Sequence, residues 1–214
     1  DHAAPAQLQQ DVAGRHAVFG AGPLGEQQER AIHPGVAQGQ GVPVDAAALD
    51  ALPALGSARA QVVEALVALS DDPDAAARVL GLSARQLGDV EVNRQLRTAP
   101  TMAAVDRYTG VLYDALDAAT LDAAARRWLG AHVLIHSAPF GPVGALDRIP
   151  SYRLAAGTAL PGVPPLRRHW ASVTSAALSG ESCILDLRSE AYVALGPVPT
   201  SVSSAYVRVV TDAG

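Results

Sequence analysis

The stretch SAPFGPVGALDRIPSYRLAAG runs from Ser137 to Gly157 and combines glycines, prolines and charged residues with apolar positions. Glycines between two apolar elements can bring backbone N–H groups against a phosphate, as a hairpin between helices does when it grips a DNA backbone. The other interpretation is a structural loop with Tyr152 packed beneath it. Asp147 can pair with Arg148 or Arg153 in either case, and we expect the pair of Asp147 and Arg153 to order the loop.

Outside this stretch, apolar spacing, caps and breakers predict helices and strands that mix without regular alternation. Helices are predicted over residues 57–69, 73–80, 83–96, 121–129 and 166–178, and strands over 132–136, 184–187 and 206–210. Ser57 and Ser83 are the expected N-caps, and Gly130 is the expected stop of the fourth helix. Residues 106–116 fit either a strand or a helix. This mixture predicts an α+β fold, a mixed irregular α/β single domain.

The composition excludes several classes of protein. Of 214 residues, 49% are hydrophobic and 17% charged, which excludes general disorder. All sixteen basic residues are arginines beside abundant Ala, Gly and Pro, which indicates a GC-rich bacterial genome. The single Cys183 excludes an internal disulfide and is interpreted as a small buried hydrophobe. Because no apolar run approaches the ~20 residues of a membrane span and no signal peptide opens the chain, we expect a cytoplasmic protein without a membrane partner.

Residues 1–42 are rich in Gln and Gly with weak periodicity, so we expect residues 1 to 40 to contribute little to the core. Within them, VFGAGPLG matches the dinucleotide-binding pattern G-x-G-x-x-G over Gly20–Gly25, and Asp45 follows twenty residues later. The next stretch offers no apolar helical face, and Pro34 cuts it short. An NAD(P)-binding oxidoreductase-like protein acting through Gly20–Gly25 therefore stands only as an alternative.

Positive charge is concentrated in the middle of the chain. Residues 78–168 contain eleven arginines against seven acids, whereas residues 1–77 and 169–214 are both net negative. Binding to a phosphate backbone needs a local basic surface, so this segment is the candidate nucleic-acid face. In Arg167-Arg168-His169-Trp170, cations beside an indole could bind phosphate while a base stacks. The interpretation that we favour here places Trp170 in the core and leaves the arginines solvated.

Signals for catalysis and for metal binding are poor. His132 and His136 lie four residues apart and would share a face, but a metal needs at least one more ligand and no H-E-x-x-H glutamate is present. We interpret them as packed histidines and predict neither a metal nor another cofactor. Ser137 and Ser189 lie outside any G-x-S-x-G pattern, and neither paired carboxylates nor a P-loop stands out. The sequence favours no enzyme class.

Three further blocks accompany the Ser137–Gly157 stretch: RTAPTMAAVDRYTGVLYDAL from Arg97, HWASVTSAAL from His169 and CILDLRSEAY from Cys183. In this order and spacing the four blocks resemble the YaaA family of bacterial peroxide-stress proteins, over about residues 41–210. The positions that match the family are Tyr108, Gly110, Ser137, Gly141, Asp147, Tyr152, Arg153, Gly157, Trp170, Ser189 and Tyr192.

The resemblance implies DNA binding, a helix-hairpin-helix-like element and a positively charged cleft. It also implies a role in peroxide stress, where members limit free intracellular iron and so restrain oxidative damage. The expected DNA-binding residues are Arg148, Arg153, Arg167, Arg168, Gly141 and Gly144. We expect residues 1–42 to form a poorly matching N-terminal segment, and residues 43–214 to form a YaaA-like domain that is shortened at its C-terminus. The oligomeric state stays open.

The sequence departs from the family pattern at three places. Residues 30–39 do not match the family's P-P-S-E-x-K type motif, and the V-x-R-P-x-D motif appears as VGALD, with Gly144 in place of an arginine and Ala145 in place of a proline. We also expect the basic C-terminal segment of the family to be missing. Each departure removes charge or a family motif, so we expect DNA binding to be weak. A degenerate fragment without activity is a further alternative.

Overall fold

The computed structural model describes residues 15–20 and 49–208. Its strands are β1 (Arg15–Gly20), β2 (Thr101–Ala103), β3 (Val133–Ser137), β4 (Gly141–Gly144), β5 (Arg148–Pro150), β6 (Cys183–Leu187) and β7 (Ser203–Tyr206). Its helices are α1 (Gly56–Leu69), α2 (Pro73–Leu80), α3 (Gly88–Arg94), α4 (Ala104–Arg107), α5 (Val111–Leu116), α6 (Ala123–His132), α7 (Leu166–Leu178) and α8 (Glu190–Leu195). This mixture confirms the predicted α+β fold, whereas the helix-hairpin-helix-like element stays a prediction.

The main sheet has five strands in the order β4-β3-β1-β6-β7, and a separate antiparallel pair joins β2 to β5. Within the main sheet, β1 runs parallel to both β3 and β6, β7 runs parallel to β6, and β4 is antiparallel to β3. Gly20 lies opposite His136, and Phe19 lies opposite Leu187. The carboxyl ends of the three central strands therefore meet at one edge of the sheet, where parallel α/β sheets commonly place their ligands.

The position of β1 corrects one expectation about the N-terminal residues. Arg15–Gly20 forms the central strand of the main sheet, and Val18 is fully buried in a cluster that includes Leu134 and Ile184. The prediction that residues 1 to 40 contribute little to the core is wrong for this strand. The apolar run of β1 is short, so its periodicity does not reveal that the strand is central in the sheet, with a parallel partner at each edge.

Helix α2 shows how far local signals determine an element. The Asp72 carboxylate accepts hydrogen bonds from the N–H groups of Asp74 and Ala75, at 3.1 and 3.0 Å. Pro73 occupies the first helical position, and Gly81 ends the helix with φ of 63°, in the left-handed region. These features confirm the prediction for residues 73–80. The prediction for residues 166–178 is confirmed by α7 as well.

Other boundaries differ from the predictions because packing overrides the local signal. Ser57 lies inside α1, which begins at Gly56, and so it is not the N-cap. Gly130 does not end α6, which continues to His132; Leu146 packs so closely on Gly130 that a Cβ there would lie 2.7 Å from its Cδ1. At residues 106–116 the helical alternative is confirmed by α5, and the strand is wrong.

Two further segments are divided or shifted. The helix predicted over residues 83–96 is divided into a 3-10 turn, capped by Ser83, and α3. The strand expected over residues 206–210 is β7, which ends at Tyr206, and residues 209–210 lie outside the described part of the chain. Within residues 15–20 and 49–208, none of the helices combines the length and apolarity needed to cross a bilayer.

Candidate functional site

The carboxyl end of β6 carries a buried ion pair. Arg188 donates to Asp186 in a bidentate arrangement, from Nε to Oδ1 at 2.8 Å and from Nη2 to Oδ2 at 2.6 Å. The backbone N–H of Arg188 also donates to Asp186 Oδ1, at 3.1 Å. Both side chains are almost completely shielded from solvent. Two parallel charge-assisted bonds therefore fix the guanidinium plane at the edge where β1, β3 and β6 end.

The third nitrogen of Arg188 connects this pair to neighbouring elements. Its Nη1 donates to His136 Nδ1 at 2.9 Å and to the carbonyl oxygen of Gly196 at 2.8 Å. Because a guanidinium only donates, His136 Nδ1 must accept, and the proton of the neutral imidazole sits on Nε2. The Tyr192 ring packs against this imidazole with a centroid distance of 5.6 Å. Arg188 thus ties β3 and the end of α8 to β6.

His136 is held in its neutral form. Burial, with the nearby charge of Arg188 as the smaller cause, lowers the pKa of His136 well below its ordinary value. Within the described residues, neither His136 Nε2 nor Thr174 Oγ1 has a hydrogen-bond partner. Both side chains pack on Gly196, where a Cβ would lie 2.7 Å from Thr174 Cβ and 3.1 Å from His136 Cε1.

A second buried arginine organises the stretch from Ser137 to Asp147. Arg59 of α1 donates from Nε to the carbonyl oxygen of Phe140 at 2.9 Å, and from Nη2 to those of Ala51 and Pro142 at 2.9 and 2.8 Å. Burial lowers the pKa of Arg59 to about 10, and the nearby Asp147 carboxylate opposes this shift. One guanidinium therefore anchors the turn that joins β3 to β4.

Asp147 has different partners from those expected. Its Oδ2 accepts from the N–H of Gly144 at 2.9 Å and from that of Ala51 at 3.4 Å. Burial raises the pKa of Asp147, and Arg59 is the cation that opposes this shift. The expected pair of Asp147 with Arg153 is therefore wrong. The Asp147 carboxylate instead accepts from Gly144 in its own turn, and the nearby cation is Arg59 of α1. The sequence of the loop does not indicate this cation.

A third group lies around the β2–β5 pair. Arg107 is buried and donates from Nη2 to the carbonyl oxygen of Ile149 at 3.0 Å. Burial is the main cause that lowers the pKa of Arg107, and the charge of Arg148 also lowers it. The hydroxyls of Tyr108 and Tyr152 are hydrogen-bonded at 2.9 Å. The backbone of Arg153 exchanges two bonds with the Asn93 amide, at 2.7 and 2.8 Å.

The six residues predicted to bind DNA fall into two groups. Arg148, Arg167 and Arg168 are exposed. Arg148 donates to Thr101, whereas Arg167 and Arg168 lie in the first turn of α7. Arg153 is only 3% exposed, and Gly141 and Gly144 are both buried in β4. The expected glycine loop is therefore a strand, and the structure does not bring all six residues to one surface.

The two glycines of β4 have structural functions. Gly141 has φ of 62°, and a Cβ there would lie 2.9 Å from Cζ3 of the Trp170 ring. The N–H of Gly144 already donates to Asp147. Trp170 itself is fully buried and donates from its indole nitrogen to the carbonyl oxygen of Ala138 at 2.9 Å. This confirms the core interpretation of Trp170.

Other family-matching residues also shape the backbone. The Ser137 hydroxyl accepts from the N–H of Phe140 at 3.0 Å. Gly110, with φ of 110°, precedes α5, and Ser189 precedes α8. Gly157 lies in an open turn where a Cβ would meet no atom within 4 Å. The family signature in this chain is thus mainly a packing signature.

The two histidines do not share a face. His132 ends α6, whereas His136 lies in β3 and is fully buried, because the change from helix to strand falls between them. Among the described residues, no three His, Cys, Asp or Glu side chains come together in a way that could hold a metal ion. Cys183 is a free thiol of intermediate burial, so the interpretation of a small buried hydrophobe is confirmed only in part.

Sequence reasoning missed Arg59, Asp186 and Arg188, although the sequence contains a signal for each. In α1, Arg59 stands at helical spacing with Val62, Val63 and Leu66, on the buried stripe. Asp186 and Arg188 are two residues apart at the end of a strand, a spacing that places side chains on one face. An arginine on the buried stripe of a helix therefore predicts a structural guanidinium. An aspartate two residues from an arginine at the end of a strand predicts one as well.

The fold and these sites define an α+β protein with a mainly parallel sheet. Buried arginines form hydrogen bonds that connect the sheet to neighbouring elements, and other arginines remain exposed. The family model for the peroxide stress protein YaaA matches residues 41–211. The chain therefore belongs to the YaaA peroxide-stress family. Gly20–Gly25 lies outside the matched residues.

Individual relatives agree with this assignment. A UPF0246 protein of Streptomyces coelicolor is 45% identical over 162 residues, which cover 74% of this chain and 62% of that relative. A UPF0246 protein of Corynebacterium efficiens is 44% identical over 179 residues, covering 81% of this chain and 70% of the relative. A more distant UPF0246 protein of Bordetella avium is 36% identical over 97 residues, 42% of this chain and 38% of the relative. The chain spans less than two thirds of the Streptomyces relative.

Proposed function

We propose that this protein binds DNA and helps to limit iron-dependent oxidative damage during peroxide stress. Membership of the peroxide-stress family supports the general role. The DNA-binding part of the proposal is supported by exposed arginines in residues 78–168 that have no acidic partner.

Exposed arginines without acidic partners carry the proposal. Within the described part of the chain, the guanidinium groups of five exposed arginines form neither a hydrogen bond nor an ion pair: Arg78, Arg85, Arg127, Arg167 and Arg168. By contrast, Arg94 pairs with Glu91 at 2.8 Å, and Arg97 pairs with Glu64. A cation without a carboxylate neighbour can neutralise a phosphate and release its counterion, and this release is the main source of sequence-independent DNA affinity.

The proposed DNA face differs from the one expected from the sequence. Arg148 remains part of it because its guanidinium is exposed and its hydrogen-bond partner, Thr101, is uncharged. Arg153 is left out because it is buried, and Gly144 because its N–H already donates to Asp147. Gly141 is left out because it packs on the Trp170 ring.

The direct test is a titration of the protein with duplex DNA at about 50 mM and about 200 mM salt. We expect a Kd in the non-specific range, ~10⁻⁴–10⁻⁶ M at physiological salt, and a steep loss of affinity as salt rises. A dinucleotide titrated in parallel serves as the control for the oxidoreductase alternative, which is less favoured because the family match begins at residue 41, after Gly25. Absence of DNA binding even at the lower salt would contradict the proposal.

The protective role is tested in bacterial cells that lack their own relative and are challenged with hydrogen peroxide. We expect expression of the parent chain to lower free iron, measured by electron paramagnetic resonance of chelated cell samples, and to improve survival. A variant with Arg167→Glu and Arg168→Glu is the matched control, since both side chains are exposed and unpaired. Equal iron levels with and without the parent chain would contradict the protective role. The DNA-binding part of the proposal would then depend on the titration alone.

A further inference from the structure

Helix α6 presents a tryptophan to solvent. Trp128 is 53% exposed, while the other tryptophan of the chain, Trp170, is fully buried. The indole stacks on the His132 ring with a centroid distance of 4.6 Å and an interplanar angle of 14°. The stack therefore offers an accessible, already oriented aromatic surface, which makes it a candidate contact surface.

The imidazole in this stack is held in place. His132 Nδ1 lies 2.8 Å from the carbonyl oxygen of Trp128, so Nδ1 carries the proton and donates it. This bond fixes the ring parallel to the indole, one helical turn away. The stack is therefore preorganised, and a flat ligand that adds to it need not order the side chains first.

Helix α6 supplies one unpaired cation next to the stack. The sequence of α6, AAARRWLGAH, contains two arginines and no acid. Arg126 is held by Asp106, with Nη1 and Nη2 at 2.9 and 2.5 Å from the carboxylate oxygens. Arg127 is exposed, and its guanidinium forms no hydrogen bond or ion pair with described residues. The surface thus combines an aromatic stack with one available cation.

We propose that Trp128 and His132 form a stacking platform for an unpaired nucleobase, with Arg127 binding the adjoining phosphate. Bases in a duplex already stack on one another, whereas single-stranded nucleic acid offers free faces that stack on aromatic side chains. The platform deepens the proposed DNA-binding function and rests on it, since it assigns unpaired strands as a ligand and α6 as their contact.

The test uses the intrinsic fluorescence of the chain. Because Trp170 is buried, the emission that an added ligand can quench comes from Trp128. A thymidine oligonucleotide is titrated into the parent, and labelled single-stranded and duplex DNA are titrated into the parent, Trp128→Leu and Trp128→Phe. We expect quenching in the parent, a loss of single-strand affinity of about five- to a hundredfold in Trp128→Leu, and substantial recovery in Trp128→Phe. Duplex affinity should change less than twofold.

The outcomes separate the platform from the general function. Parent protein that binds duplex DNA, shows no quenching by the oligonucleotide and matches Trp128→Leu in single-strand affinity overturns the platform and leaves the proposed DNA binding intact. Quenching with the expected loss in Trp128→Leu supports the platform, even if duplex binding is weak. If the parent binds neither form of DNA, both proposals fail together.

Discussion

The arginines at the carboxyl edge of the sheet and those at the start of α7 differ in exposure and in partners. Arg188 is buried, and its three nitrogens donate to Asp186, His136 and Gly196. Arg167 and Arg168 are exposed, and their guanidinium groups form no hydrogen bond or ion pair with any described residue. Since the chain has no lysine, one residue type must serve both purposes. Whether a guanidinium can bind a ligand therefore depends on whether the fold has already used its donors.

The largest effect that we expect follows from Arg188→Met. Removing the guanidinium leaves the Asp186 carboxylate buried without its cation, and breaking a buried pair in this way costs about 3–5 kcal/mol. Denaturant unfolding monitored by circular dichroism measures this loss. The double variant with Asp186→Leu should be less destabilised than Arg188→Met alone. If the free energy of unfolding of Arg188→Met lay within about 0.5 kcal/mol of the parent's, the distinction between buried structural arginines and exposed unpaired ones would be contradicted.

The second prediction concerns Gly141, which the sequence assigned to DNA binding. Gly141→Ala should destabilise by about 1–3 kcal/mol, because the new Cβ meets the Trp170 ring and the residue has a positive φ. Gly157→Ala is the control, since its Cβ would meet nothing within 4 Å, and it should change stability by less than about 0.5 kcal/mol. Thermal unfolding compares the two. Weaker DNA binding by folded Gly141→Ala would return this residue to the DNA face.

The third prediction uses the neutral state of His136. The pKa of His136 is lowered in the folded protein, so below about pH 6.5 the unfolded chain binds more protons than the folded one. Stability is therefore retained above that pH and lost as the pH falls. Between about pH 7.5 and about pH 5.5, the parent should lose about 1.4 kcal/mol more than His136→Asn in guanidinium unfolding. The raised pKa of Asp147 acts in the opposite direction, but in both proteins, so it cancels. Parallel pH profiles would show that the pKa of His136 is the same in the folded and unfolded states, and would contradict the lowered pKa.

Local signals in the sequence were sufficient where one element contains both the signal and its partner. Helix α2 is the example, because Asp72 caps it and Gly81 ends it within ten residues. The α+β class and the core position of Trp170 could also be predicted. These conclusions depend on short-range spacing, or on a large aromatic ring that needs burial.

Contacts between distant parts of the chain could not be predicted. Asp147 and Arg59 are 88 positions apart in the sequence, and nothing in the loop indicates that α1 supplies its cation. The antiparallel pair of β2 and β5 joins two strands of three residues each, too short for an alternating pattern. Charge balance located the basic segment but could not separate buried Arg153 from exposed Arg168, because only the fold determines which arginines reach solvent.

The measurement that tests the central claim most directly compares two double variants in DNA binding. Arg167→Gln with Arg168→Gln removes two unpaired arginines, and Arg94→Gln with Arg97→Gln removes two that are paired with acids, so both lose the same charge. We expect the first to lower the slope of log affinity against log salt by about one unit for each lost phosphate contact, while the second stays close to the parent. The first should keep nearly the parent's stability, whereas the second also loses the hydrogen bonds from Arg94 to the carbonyl oxygen of Ser70, so circular dichroism checks that both variants are folded. Equal salt slopes in the two variants would contradict the claim that unpaired arginines form the DNA-binding surface.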